Sequence, residues 1–192
     1  MSEDLLIAKI SHGFDHLDAD GDGLLTEQDH VLMGQSVARS LGHPAGSPQE
    51  RRIVDGYLAI WREVHLPQLP GGAQAMGRAQ FLESTAALAD DPAAAEAVLG
   101  GLARAFLAVA DADGDGRVDA DEFFLFQRGH FPQLRRVDAD AAFAHLDRDG
   151  DGTLSPQEFV SAIVEYWSSR DPQAPGNWWT GSPQGNPDPT TL

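Results

Sequence analysis

"FDHLDADGDGLLTEQD", from Phe14 to Asp29, returns as "FAHLDRDGDGTLSPQE" from Phe143 to Glu158. Both carry a Phe, a His-Leu pair, a comb of alternating aspartates and a glycine at the same offsets, yet one closes on Asp29 and the other on Glu158. A third comb, "DADGDGRVDADE", spans Asp111 to Glu122. Aligned on the aspartates, the frames are Asp18–Asp29, Asp111–Glu122 and Asp147–Glu158. Alternate side chains of a tightly coiled loop can converge on one centre. A hard divalent cation takes roughly six to eight oxygens, so the spacing suits calcium. Gly23, Gly116 and Gly152 stand at the sixth position, where the chain must turn with positive φ. The seventh residues, Leu24, Arg117 and Thr153, would give a backbone carbonyl, with their side chains pointing away. The eighth residues, Leu25, Val118 and Leu154, suit a short strand that pairs with a partner loop and turns its side chain inward.

The flanks agree with a helix on either side. Ile10, Phe14 and Leu17 fall at i, i+4 and i+7 before the first comb, and Phe143 and Leu146 repeat the end of that spacing. Thr26, Asp119 and Ser155 are N-caps of the outgoing helices, with Asp29, Glu122 and Glu158 three residues on, where a capping box closes. Helix, calcium loop and helix make an EF-hand. A dockerin-like repeat would also accept Asp29 at its last position, but it lacks the incoming helix that Phe14 and Leu17 mark. EF-hands pair through their loops, and the last two are natural partners. The first needs a partner between Leu41 and Gly101. There Ser47-Pro48-Gln49-Glu50 opens a helix with an N-cap, a proline at its first position and an acid at its third. Ile53, Tyr57, Ile60, Trp61 and Val64 give that helix an apolar face. "LPGGAQAMGRAQF" then fits the loop frame with Leu69, Gly71, Ala73 and Gln80 in ligand places. None is a carboxylate, so this hand is expected to be silent, with Met76 facing Leu25. Asp91 and Pro92 cap the helix entering the third hand.

Composition narrows the function. The formal net charge of −17 opposes attraction to nucleic acid or an anionic membrane surface, both held mainly by Lys and Arg. A polyanion of this kind attracts cations. There is no cysteine, hence no disulfide framework and no thiolate metal site. The start, "MSEDLLIAKI", is acidic where a secretory signal is basic, and Ser2 stands where myristoylation requires glycine. No run suggests the ~20 apolar residues of a membrane span, so a cytoplasmic location is expected. The seven histidines read as solvated or capping groups, and Arg135 and Arg136 as a solvated linker.

Four hands with the second degenerate, a long connection after the first, and the terminal "SRDPQAPGNWWTG" from Ser169 to Gly181 resemble the family of sarcoplasmic calcium-binding proteins and calerythrin. The resemblance implies an all-α fold of four EF-hands in two pairs, one compact body with the tail laid over its core. The pairs would be residues 1–90 and 91–170, and the tail 171–192, disordered after Trp179. Carried over by position, the first site is Asp18, Asp20, Asp22, the Leu24 carbonyl, Thr26 and Asp29. The next is Asp111, Asp113, Asp115, the Arg117 carbonyl, Asp119 and Glu122, and the last Asp147, Asp149, Asp151, the Thr153 carbonyl, Ser155 and Glu158. Thr26, Asp119 and Ser155 would act directly or through water. Three Ca2+ ions are expected. Asp29, one methylene short, would offer a single oxygen and tilt the first site toward the octahedral shell of Mg2+, unless the outgoing helix moves in and restores bidentate binding. The expected function is a monomeric, non-enzymatic calcium buffer. A sensor that docks on a protein target is the alternative, but such sensors use Met-rich grooves, and only Met33 and Met76 accompany the initiator. The four-hand fold also serves luciferin-dependent photoproteins, and nothing beyond ordinary aromatics marks a chromophore cavity here.

Overall fold

In the computed structural model, residues 2–181 are described; residues 182–192, expected to be disordered, lie outside them. Helix α1 (Ser2–Leu17) leads through β1 (Leu24–Thr26) into α2 (Glu27–Ser40). Helix α3 (Pro48–Ile60) leads through β2 (Ala75–Gly77) into α4 (Arg78–Ala87). The pattern repeats as α5 (Pro92–Ala110), β3 (Val118–Asp119) and α6 (Ala120–His130), then α7 (Arg136–Leu146), β4 (Thr153–Leu154) and α8 (Pro156–Ser168). The fold is thus all-α, with four helix–loop–helix units in two pairs.

Local chemistry explains where the helices start. Thr26, Asp119 and Ser155 each form a reciprocal capping box, with Asp29, Glu122 and Glu158 reaching back to the cap N–H. Ser47 and Asp91 cap α3 and α5 ahead of Pro48 and Pro92, whose missing N–H costs nothing in a first turn. The strands are short antiparallel ribbons. Leu25 faces Met76, and Val118 faces Leu154, all four fully buried.

The two pairs interlock. Helix α2 packs on α3 and on α6, α5 on α8, and α1 on both α4 and α8. Glycines permit the closest approaches: a Cβ on Gly129 would lie 2.6 Å from the Val37 Cα, and one on Gly34 would lie 2.8 Å from the Val54 Cα. Helix α5 corrects one expectation. Within its 19 residues an 18-residue window has a mean hydropathy of 1.6, long and apolar enough by length and composition to cross a membrane. Here it is a core helix, burying Leu99, Leu102, Ala103 and Phe106.

The tail motif has a physical reading. A 3-10 turn at Pro175–Trp178 seats the chain against α8. Gly176 leaves no room for a side chain, since a Cβ would meet the Ala162 carbonyl at 2.5 Å. Asn177 Oδ1 accepts from Lys9 Nζ at 2.7 Å, and the same ammonium donates to the Ser169 carbonyl at 2.8 Å. Lys9 is 2% exposed, and burial pushes its pKa down to about 8, against the pull of Glu165. Beyond that latch Trp179 enters the core among Phe123, Phe126 and Phe159, with Phe159 edge-on at 5.0 Å. Trp178 stacks on His145 with ring centroids 3.7 Å apart.

Candidate metal centre

Each comb folds into a tight cup. The sixth-position glycines adopt φ of 86°, 87° and 87°, and each donates its N–H to the first aspartate of its loop at 2.8 to 3.0 Å. The fifth aspartates, Asp22, Asp115 and Asp151, accept from the seventh N–H at 2.8, 2.8 and 2.9 Å. These bonds tie the first and fifth carboxylates to the turn of each loop. Oxygens of Asp18, Asp20 and Asp22 lie within 4.8 Å of one another, as do those of Asp111, Asp113 and Glu122, and of Asp147, Asp149 and Glu158. Clustered carboxylates at such spacing repel one another and attract a hard divalent ion.

The closing residues answer the difference between Asp29 and Glu158. Glu122 Oε1 accepts from the Ala112 N–H at 2.9 Å and Glu158 Oε1 from the Arg148 N–H at 2.9 Å, while their second oxygens take the cap N–H. Asp29 makes the equivalent bonds with a shorter arm: Oδ1 to the Ala19 N–H at 2.9 Å, and Oδ2 to the Thr26 N–H and hydroxyl at 2.7 Å. Helix α2 therefore sits close enough to replace the missing methylene. Even so, Asp29 is buried at 1% exposure and is not among the converging oxygens of its loop, whereas Glu122 and Glu158 are. Burial raises the Glu158 carboxyl, but bonds from the Ser155 hydroxyl and three backbone N–H groups outweigh it and leave the pKa lowered.

The seventh-position side chains depart from expectation at Arg117. Its guanidinium does not point away; it crosses to the partner loop and donates to Asp151 Oδ2 and Thr153 Oγ1, both at 2.6 Å. Thr153 in turn donates to Asp151 Oδ1 at 2.7 Å. The Thr153 and Arg117 bonds hold the Asp151 pKa below the usual carboxylate range. Leu24 and Arg117 are both exposed, and Thr153 is half-buried. Asp119 and Ser155 act as caps, as does Thr26. In the second unit Gly71 lies in a 3-10 turn and Gln80 donates to the Gln68 carbonyl at 3.2 Å. Among the described residues no acidic cluster forms there.

Histidine is the larger correction. His30 and His65 are core residues, 0% and 7% exposed, with rings 5.3 Å apart, and not solvated groups. Burial lowers His65 to about 3, His16 to about 4 and His130 to about 4, so all three are neutral near pH 7. The signal was periodic: His30 precedes Met33 and Val37 on one stripe of α2, and His130 follows Phe126 by one turn of α6. His65 ends a π-helical turn, Trp61–His65, just before Leu66 and Pro67. His12 and His16, one turn apart on α1, pack edge-on at 4.4 Å, and both contact Phe131. His16, His30, His65 and His130 line a central cavity together with nearby aromatics, where the sequence marks none beyond ordinary aromatics.

Comparison with known proteins agrees with this geometry. Residues 138–166 match the EF hand domain model, and residues 103–125 match a second EF hand model. Calerythrin from Saccharopolyspora erythraea is 25% identical over 166 residues, covering 84% of this chain and 92% of the relative. The chain is a calerythrin-like EF-hand protein. It binds calcium by the chemistry of its acidic loops. A calcium-binding protein of Streptomyces coelicolor, described in terms of prokaryotic calcium-mediated regulation, has a TM-score of 0.66 and 27% identity, covering 85% of this chain and 98% of that one. The calcium-loaded apo coelenterazine-binding protein of Renilla muelleri superimposes with a TM-score of 0.77 over 94% of this chain and 97% of its own. At 20% identity that likeness is one of fold.

Proposed function

We propose that this EF-hand protein is a monomeric cytoplasmic calcium buffer with three sites. The proposed ligands are Asp18, Asp20, Asp22, the Leu24 carbonyl, Thr26 and Asp29; Asp111, Asp113, Asp115, the Arg117 carbonyl, Asp119 and Glu122; and Asp147, Asp149, Asp151, the Thr153 carbonyl, Ser155 and Glu158. The pairs at 1–90 and 91–170 act as units, the first with a silent second hand. The observation that carries buffering over sensing is the tail: Trp179, 5% exposed, occupies apolar space between α6 and α8 that a target helix would otherwise take. The Streptomyces likeness favours a second reading, a sensor with a dedicated protein target. Calcium added to the chelated protein should bind at three ions per chain by calorimetry, with hydrophobic-dye fluorescence falling. Two or four ions would refute the site assignment; rising fluorescence would refute buffering.

The first site is proposed to be mixed, taking Mg2+ as well as Ca2+, because Asp29, unlike Glu122 and Glu158, is not among the oxygens that converge in its loop. Asp29→Glu is expected to tighten calcium there about tenfold, ~1.4 kcal/mol, and to weaken magnesium competition. Calcium titrations with and without millimolar magnesium should change at that site alone. Equal magnesium competition at all three wild-type sites would remove the idea.

A further inference from the structure

The central cavity lies between the two EF-hand pairs, walled by His30, His65, Gln127, His130, Trp167 and Trp179 among others. It offers about 70 Å³ to the centres of water-sized spheres. At about 10–15 Å³ for each water, that is room for roughly five to seven waters. Among the described residues no Asp, Glu, Lys or Arg lines it.

Two polar atoms in this wall are buried without a partner, Gln127 Oε1 and His30 Nε2. Both residues are almost fully buried, at 1% and 0% exposure. Their chemistry is fixed by what the other end of each side chain does. Gln127 Nε2 lies 2.7 Å from the Trp179 carbonyl, which can only accept, so the amide nitrogen faces the tail and its oxygen is left over. His30 Nδ1 lies 2.7 Å from the Thr26 carbonyl, so the ring hydrogen is on Nδ1 and Nε2 presents a lone pair. Both unmet atoms are therefore acceptors. The two tyrosine hydroxyls in the wall are already committed. His130 Nδ1 faces the Phe126 carbonyl at 3.1 Å, so its Nε2 takes the Tyr57 hydroxyl proton at 2.6 Å, and Tyr166 donates to the Lys9 carbonyl at 3.1 Å. An unmet buried acceptor is a standing attraction for any donor that fits.

We propose that this cavity is a binding site for a neutral, planar aromatic molecule carrying a phenolic O–H or ring N–H, which donates to Gln127 Oε1 or His30 Nε2. The aromatic and imidazole rings of its walls select a flat apolar body that can stack or pack edge-on against them. The absence of charged walls excludes an ion, which would lose its hydration for nothing in return. The site stands independently of ion binding in the loops.

The test uses the full, calcium-loaded chain with two probes of equal shape, 2-naphthol and 2-methylnaphthalene, followed by calorimetry. One 2-naphthol per chain should bind, about tenfold more tightly than the methyl compound. Gln127→Leu or His30→Phe should bring the two within about twofold, and Ser84→Trp, which adds bulk at the cavity wall, should abolish binding of both. No saturable binding by the folded wild type means the cavity holds water only and overturns the proposal. Equal affinity for the two probes, or a preference that survives both acceptor substitutions, overturns it as well. Should a variant fail to fold, magnetisation transfer between bound 2-naphthol and the Trp167 or Trp179 ring protons of the wild type decides: present, the site holds; absent, it does not.

Discussion

Chelating calcium is expected to lower the thermal midpoint of this protein by roughly 25 °C or more. The proposed ligand sets hold thirteen carboxylates in a chain of formal charge −17. With three oxygens already drawn within 4.8 Å in each calcium loop, the ion-free cups carry unrelieved repulsion. Three divalent ions add six positive charges at those points. An ion present at about a thousandfold over its dissociation constant stabilises the folded state by about 4 kcal/mol, and three give about 12. For a chain of this size each kcal/mol is worth about 2–4 °C. Scanning calorimetry in millimolar calcium and in chelator measures the difference directly. Coincident midpoints would show that the loops are preformed without the ion and that its binding does not drive compaction.

The calcium loops were legible because their constraints are local. A comb of aspartates, a glycine that must turn and a cap three residues before an acid all lie within one frame, and Thr26, Asp119 and Ser155 form their boxes where the spacing put them. The silent loop was legible at one remove, through the need for a partner, and Met76 does face Leu25. Long-range partnerships were not. Nothing local tells that Lys9 anchors Asn177 across the chain, or that Arg117 crosses to Asp151. Histidine was misjudged because its polarity outweighed its position. A neutral imidazole on an apolar stripe packs as an aromatic ring, and only the assembled core shows that His30 and His65 meet.

Those histidines make acid the second large lever on stability, and His65 carries the greatest share. Burial, with the charge of His30 as a lesser cause, lowers its pKa from 6.5 to about 3. In the unfolded chain His65 takes a proton as pH falls below about 6.5, while in the fold it stays neutral until about 3. The unfolded state thus binds more protons throughout that window. Stability is at its full value above pH 6.5 and is lost as pH falls, by about 1.4 kcal/mol per pH unit for this one side chain. His130, lowered to about 4, adds a loss of the same sign over a narrower range. Acid also loosens the carboxylate sites, but it does so in wild type and in His65→Leu alike. Chemical denaturation of both proteins in saturating calcium, at pH 6.5 and 4.5, isolates the histidine as a difference of slopes. Wild type should lose about 2.3 kcal/mol more than His65→Leu over those two units, since at pH 6.5 the slope is only half its limiting value. Parallel losses would mean that His65 takes up its proton inside the folded protein, and that the core around His30 and Phe81 accepts a charge.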